Sequence, residues 1–365
     1  MATPLNQNSV LNVLVFGAGA IGAYFGGSLI LAGHQVVFVE QQKMVEQLRE
    51  RGLRLDLTLD KRRKAKEAFI IESRAFVVAP SLEEALKFGP FDVALFALKS
   101  FDTAAALEAM KPFAEKIPPL LCLSNGVQNE QTIAEALGAD KVIYGTVTTA
   151  IGRRGVGDIA LEKLRGVGIA AGHPLSEKLV AMFNDAYLKC SLYPEPHAMK
   201  WSKMLTNLIA NPTSAILNMT AAEVFANRKL YKLEIEMLRE CLAVMEAQNF
   251  EEVDLPGTPV KALAMAIEAP AWLTKPFLSR AVGGGRGAKM PSFHIDLHSG
   301  RGKSEVEYLN GAVVSAGKKY HIPTPVNELL TKTLLALTHK EIPLDEYDHQ
   351  PEKLLSALES KQVNK

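Results

Sequence analysis

The chain has 365 residues, 48% of them apolar and 22% charged, with 41 Lys and Arg against 40 Asp and Glu for a formal charge of +1. This length predicts two domains and the composition is that of an ordinary globular protein, without the basic excess of a nucleic-acid binder. Three widely spaced cysteines (Cys122, Cys190, Cys241) exclude a disulfide framework or zinc pattern, and no apolar stretch reaches the roughly 20 residues needed to cross a bilayer. Eight histidines, with a single HxxxH spacing (His294 and His298) and no HExxH pairing, predict no metal, and the polar start MATPLNQNSV lacks the pattern of a signal peptide. The expected compartment is the cytoplasm, with no membrane or nucleic-acid partner.

Residues 11–16 (LNVLVF) form an apolar run suited to a buried parallel strand. Gly17-Ala18-Gly19-Ala20-Ile21-Gly22 follows directly, then a helical stretch closed by Gly33 and a second apolar strand, QVVFV, ending at Glu40. A strand, a GxGxxG turn, a helix, a strand and a terminal acid within about 30 residues predict a Rossmann dinucleotide-binding unit. Gly17 permits the tight turn, Gly19 lets the backbone approach a pyrophosphate, and Gly22 lets helix and strand pack closely. The helix N-terminus adds free N–H groups and a positive dipole end. Glu40 suits the two ribose hydroxyls of NADH and would repel a 2′-phosphate, while Lys43 stands nearby with the opposite charge.

Residues 53–60 (LRLDLTLD) alternate like a half-exposed strand, KRRKAKE reads as a solvated turn, and residues 68–79 supply one or two further strands. This region is expected to elaborate the sheet rather than form a separate module. VALFALK places Lys99, and LLCLSNG places Asn125, at strand ends, where open α/β sheets bind ligands. Lys99 is either a ligand contact or a solvated strand-end lysine, and Asn125, before Gly126, either a ligand contact or a turn residue. After the strand at 141–150, Arg153-Arg154-Gly155 resembles a hairpin turn with solvated charges.

From Pro194 onward helical periodicity replaces strands, so the predicted boundary separates residues 1–193 from an all-helical domain at 194–365. Lys203, Asn207 and Asn211 are spaced four residues apart and on one helix would form a polar stripe, with Pro212 expected to kink it. An ammonium and two carboxamides on one face suit a small, oxygen-rich molecule. The alternative is a solvated helix face. Segments near 221–250 and 305–340 also read as helices. Residues 281–303 are expected to be a long glycine-rich and basic loop, with Ser292 a candidate donor to an anion or a plain turn serine. Ser304 and Glu307 fit a capping box, which leaves Glu305 either for chemistry or for the helix dipole.

Six segments in order, GAGAIGAYFGG, Leu98-Lys99, SNG at 124–126, WSKMLTNLIANPTSAI at 201–216, KMPSF at 289–293 and SEVEYLNG at 304–311, resemble the ketopantoate reductase family. The resemblance spans nearly the whole chain. It implies a Rossmann domain joined to a helical domain like that of 6-phosphogluconate dehydrogenase, with the active site in the cleft between them, and a role in pantothenate biosynthesis. It assigns Lys203 as general acid, and Asn207, Asn211 and Ser292 to the substrate. Asn125 matches a contact to substrate and cofactor, Glu305 a carboxylate that organises the site and touches the cofactor, and Lys99 and Ile151 cofactor contacts. NADPH is the family's usual cofactor, whereas Glu40-Gln41-Gln42 stands where the family usually has an arginine and favours NADH. Ala221 replaces an asparagine that binds substrate in some members, and the 292–305 segment is one residue longer.

The implied reaction reduces ketopantoate, a small 2-keto acid, to D-pantoate. A second reading keeps the fold and reduces other branched 2-keto acids with NADH, as a D-2-hydroxyacid dehydrogenase. A third is a non-catalytic dinucleotide sensor. A homodimer is compatible with all three.

Overall fold

The computed structural model describes residues 10–286 and 289–363; residues 1–9, with the polar N-terminal start, and 287–288 of the glycine-rich stretch lie outside the described residues. By its contacts the chain separates into two units, one of residues 1–124, 129–196 and 255–258, the other of 125–128, 197–254 and 259–365. The first carries twelve strands among its described residues: β1 (Asn12–Phe16), β2 (Gln35–Val39), β3 (Leu53–Asp56), β4 (Phe69–Ile71), β5 (Val77–Ala79), β6 (Val93–Phe96), β7 (Leu120–Cys122), β8 (Val142–Val147), β9 (Ala150–Gly155), β10 (Asp158–Lys163), β11 (Val167–Ala170) and β12 (Cys190–Tyr193). Its helices are α1 (Ala20–Leu31), α2 (Gln42–Arg51), α3 (Leu82–Ala85), α4 (Thr103–Met110), α5 (Asn129–Leu137) and α6 (Ser176–Asp185).

The main sheet runs β12-β11-β8-β7-β6-β1-β2-β5. From β5 to β8 every pairing is parallel, so the chain moves out from β1 on one side and returns to β6 on the other. This is the strand order of a Rossmann domain, and its switch point lies between β1 and β6. Successive residues of β1 feed opposite cores: Val13 and Val15 join one, Leu14 and Phe16 the other. A strand buried on both faces therefore reads as an unbroken apolar run.

Helix α1 packs against β1 and β2 and also against β3, β9 and β10. The adjacent glycines Gly26 and Gly27 make both approaches possible. A Cβ on Gly26 would lie 2.4 Å from the Phe38 ring, and one on Gly27 would lie 2.5 Å from Leu55. A helix covered on two sides needs apolar or small residues all round.

Four expectations for this unit need correction. The 53–79 region does not simply elaborate the main sheet: β3 and β4 join β10 and β9 in a second sheet, ordered β4-β3-β10-β9, while β5 edges the first. The strand in LRLDLTLD ends at Asp56. Arg153-Arg154-Gly155 belongs to β9, the turn comes at Val156-Gly157, and Arg154 pairs with Asp56 at 3.0 Å.

The KRRKAKE run is not merely solvated. Arg62 grips Asp60 with two bonds of 2.8 and 2.7 Å, and the Arg63 side chain is 5% exposed. Arg63 donates to Ser28 Oγ and to the Ala186 carbonyl, lies 3.4 Å from Asp60, and stacks over the Tyr187 ring. Asp60 is 1% exposed; burial pushes its carboxyl up, but the bonds from Arg62 prevail and its pKa falls below the ordinary value.

The second unit is all-helical: α7 (Pro196–Leu208), α8 (Asn211–Leu217), α9 (Ala221–Ala226), α10 (Arg228–Ala247), α11 (Val260–Glu268), α12 (Ala271–Arg286), α13 (Ser292–His298), α14 (Asn310–Tyr320), α15 (Pro325–Thr338) and α16 (Pro351–Val363). Helix α10 is its central post, touching α9, α11, α14, α15 and α16. The expected loop at 281–303 is largely helix, because α12 runs through Gly283-Gly284-Gly285 to Arg286 and α13 begins at Ser292. Pro212 does not kink one helix. The helix stops at Leu208, Ala210 turns left-handed (φ 51°), and α8 restarts at Asn211 with Pro212 in its first turn.

Among the described residues no helix is long and apolar enough to cross a membrane, and no group of three or more His, Cys, Asp or Glu is placed to hold a metal. No disulfide joins the three cysteines. Burial pushes the Cys190 thiol up to about 12.

Arg63→Ala should lower unfolding stability by about 3 kcal/mol, because Asp60 stays buried after losing a partner. Arg74→Ala, which removes an exposed pair with Glu72, should leave the urea midpoint unchanged. Equal midpoints for the two variants would show that the Arg63 cluster adds nothing.

Candidate functional site

In the first unit the glycine turn leaves β1 and enters α1. Gly17 has φ +88° and donates its N–H to the Val39 carbonyl at 3.0 Å. A Cβ there would press on Leu98 Cδ2 at 2.9 Å, so the turn lies against the chain leaving β6, beside the switch point. A Cβ on Gly22 would sit 1.8 Å from the Gly17 carbonyl oxygen and 3.4 Å from Val15. The third glycine is thus required by the turn even more than by the strand. Gly19 differs: among the described residues nothing beyond its own chain neighbours lies within 4 Å of its Cβ position. That open space, next to the N-terminus of α1, is a cradle that fits a dinucleotide pyrophosphate. The amides of Ala20, Ile21 and Gly22 precede the first α-helical bond, from Ala23 N–H to the Gly19 carbonyl at 2.9 Å.

Glu40 follows β2 directly. Its carboxylate accepts the Ala18 N–H at 2.7 Å and the Gln41 N–H at 2.9 Å. The acid is therefore anchored to the glycine turn itself. Lys99, half-buried, precedes a short 3-10 turn at Ser100–Asp102, three residues beyond β6. Ile151 lies on β9, half-buried.

The other candidates, Asn125 included, belong to the second unit. Lys203 and Asn207 lie one turn apart on α7. Asn207 Nδ2 donates to Asn125 Oδ1 at 3.1 Å. Asn211 does not extend a straight stripe, because the break at Ala210 turns it back. Its Nδ2 donates to the Asn207 carbonyl at 3.0 Å and to Ser292 Oγ at 3.3 Å, and its Oδ1 accepts the Phe293 N–H at 3.0 Å. Asn125, Asn207, Asn211 and Ser292 thus form one hydrogen-bonded cluster, drawn from a loop and three helices.

Glu305 opens a 3-10 turn, Glu305–Tyr308, and is 1% exposed. That turn packs on α15, which packs on α8. The predicted Ser304–Glu307 capping box is not what caps this turn: the Ser304 hydroxyl accepts from Val306 N–H at 3.2 Å, and Glu307 is exposed. A capping box does form at α9, between Thr220 and Glu223, next to the buried Ala221. The sequence reading missed Glu234, which bonds Ala210 at the α7–α8 break, and Thr213, its second partner in the first turn of α8. Glu234 had a signal, because it stands on the apolar stripe of α10 with Leu230, Met237, Leu238 and Cys241.

The family model described as ketopantoate reductase PanE/ApbA matches residues 13–172, and its C-terminal counterpart matches residues 197–338. The 2-dehydropantoate 2-reductase of Lactococcus lactis subsp. lactis is 24% identical over 330 residues, 88% of this chain and 96% of that protein. The crystal structure of a PanE/ApbA family ketopantoate reductase from Ralstonia eutropha JMP134 aligns with TM-score 0.75 and 25% identity, covering 91% of this chain and 99% of the other. A D-mandelate dehydrogenase solved with NADH and anilino(oxo)acetate aligns with TM-score 0.73 and 20% identity, covering 90% and 99%.

Gly19→Ala gives a sharp test of the cradle. The added methyl meets no atom of the described residues beyond its chain neighbours, so the thermal midpoint should hold without ligand. Dinucleotide affinity, measured by fluorescence titration, should fall on the order of tenfold or more, equivalent to about 1.4 kcal/mol. Unchanged affinity would place the dinucleotide elsewhere.

Proposed function

Because the chain belongs to the ketopantoate reductase family, whose models match it along most of its length, and is thereby an NAD(P)-dependent oxidoreductase, we propose that it is a 2-dehydropantoate 2-reductase. It reduces ketopantoate to D-pantoate, on the route to pantothenate and coenzyme A. The observation that carries this reading is the Asn125–Asn207–Asn211–Ser292 cluster beside Lys203. Carboxamides and a hydroxyl held by one another present fixed donors and acceptors to the carboxylate and hydroxyl groups of a small 2-keto acid.

The nicotinamide, when bound, supplies the hydride. Gly17 to Gly22 would hold the pyrophosphate on backbone amides, and Lys99 and Ile151 of the same unit would complete the dinucleotide contacts. Lys203 gives its proton to the keto oxygen as charge builds there, so no free alkoxide forms. Asn207, Asn211 and Ser292 orient the substrate and make no bonds to the reacting atoms. Glu305 organises the site around Lys203.

Glu40 favours NADH over NADPH. Its carboxylate is fixed at the glycine turn, where it would meet a 2′-phosphate with like charge. The same acid, with Ala221 in place of an asparagine, supports a second reading: an NADH-dependent D-2-hydroxyacid dehydrogenase for other branched 2-keto acids. The D-mandelate dehydrogenase with NADH shares the fold.

Initial rates of NADH and NADPH oxidation with ketopantoate, 2-ketoisovalerate and phenylglyoxylate separate these readings. Ketopantoate should be the preferred substrate; preference for either of the others selects the second reading. Dinucleotide binding without turnover of any keto acid would make the protein a sensor. Lys203→Ala should cut turnover on the order of 10²–10⁴-fold while dinucleotide binding survives. Near-normal turnover in that variant would remove Lys203 from the reaction.

A further inference from the structure

Helix α10 carries a carboxylate where its packing face calls for an apolar side chain. Glu234 shares that face with Leu230, Met237, Leu238 and Cys241, and it is 0% exposed. Burying a carboxylate is unfavourable unless hydrogen bonds satisfy it. Here both oxygens are used: Oε2 accepts the Ala210 N–H at 2.7 Å, and Oε1 accepts the Thr213 hydroxyl.

These two donors bracket Asn211. Ala210 is the left-handed residue between α7 and α8, a conformation disfavoured for a residue with a Cβ. Its N–H lies where one helix has ended and the next has not begun, so it needs an acceptor from outside the helix. Thr213 lies in the first turn of α8. One side chain therefore grips the break on both sides of the asparagine that bonds Asn207, Ser292 and Phe293. A charged acceptor holds such donors more tightly than a neutral one.

We propose that Glu234 is a positioning residue for the keto-acid site: by clamping Ala210 and Thr213 it fixes the turn that aims Asn211, and through Asn211 the placement of Asn207 and Ser292. This rests on the reduction of a 2-keto acid proposed above. Glu234 itself touches no reacting atom. Its loss should raise KM for the keto acid and lower kcat, and should leave the dinucleotide contacts of the first unit unaffected.

The test compares Glu234→Met with Glu234→Gln in the full-length protein. The glutamine oxygen still accepts from Ala210, and its amide can donate to Thr213 Oγ. KM for ketopantoate should stay within about threefold in Glu234→Gln and rise at least about tenfold in Glu234→Met, with the Kd for NADH unchanged in both. A folded, cofactor-binding Met variant with wild-type KM would overturn the proposal, even if its thermal midpoint drops, because the carboxylate would then serve stability alone. Should Glu234→Met fail to fold, Thr213→Val and Thr213→Ser read the other arm of the clamp. The valine variant should raise KM and the serine variant should retain the wild-type value; equal KM in the two overturns the clamp. A wild-type protein that reduces no 2-keto acid withdraws the proposed function and this role with it. That outcome is distinct from an active wild type whose KM ignores residue 234.

Discussion

The break between α7 and α8 sets the shape of the candidate substrate site. A helix running on through residue 211 would place Asn211 one turn above Asn207, facing the same way. The left-handed Ala210 instead folds Asn211 back, and its carboxamide reaches two backbone groups that helices leave unsatisfied. The Asn207 carbonyl lies in the last turn of α7 and the Phe293 N–H in the first turn of α13. By bonding both, Asn211 caps two helices at once and ties Ser292 to Asn207. The polar groups that would orient a keto acid are therefore held in place before any ligand arrives, which is what orientation in catalysis requires.

The first unit shows the same economy in its glycine turn. Gly17 and Gly22 make a turn so tight that a side chain at either position would strike protein atoms, whereas Gly19 faces open space. Two glycines serve the fold and one serves the ligand. Glu40 joins these roles, because its carboxylate holds the Ala18 amide and so secures the turn where a dinucleotide ribose would lie. Replacing Glu40 with a residue that has no acceptor would remove a bond from the turn.

The sequence revealed local features better than distant ones. The strand, turn and helix from 11 to 33 could be read because each residue type there is required by its own backbone or by neighbours close in sequence. Strands of the main sheet could be recognised because strands buried on both faces read as apolar runs, whereas their order in the sheet could not. The left-handed turn at Ala210 gave no warning, since no glycine or asparagine occupies the position. It is held by Glu234, 24 residues away, and by no local preference. Arg63 likewise looked solvated until Ser28 and the Ala186 carbonyl, far along the chain, enclosed it. The glycine-rich 281–286 segment suggested a loop because glycine disfavours helix, yet α12 continues through it. The pairing of Asn207 with Asn125 and of Asn211 with Ser292 depends on contacts between segments about 80 residues apart, beyond the reach of periodicity.

The central claim is that this chain moves a hydride from a reduced nicotinamide to the carbonyl carbon of a 2-keto acid. The most direct measurement supplies the dinucleotide with deuterium on the transferable position of the nicotinamide C4 and analyses the product by mass spectrometry and NMR. The account predicts one deuterium on C2 of a D-2-hydroxy acid and none on its oxygen after exchange in ordinary water. Product formed without deuterium at C2, or no product with any 2-keto acid while the dinucleotide stays bound, would contradict it.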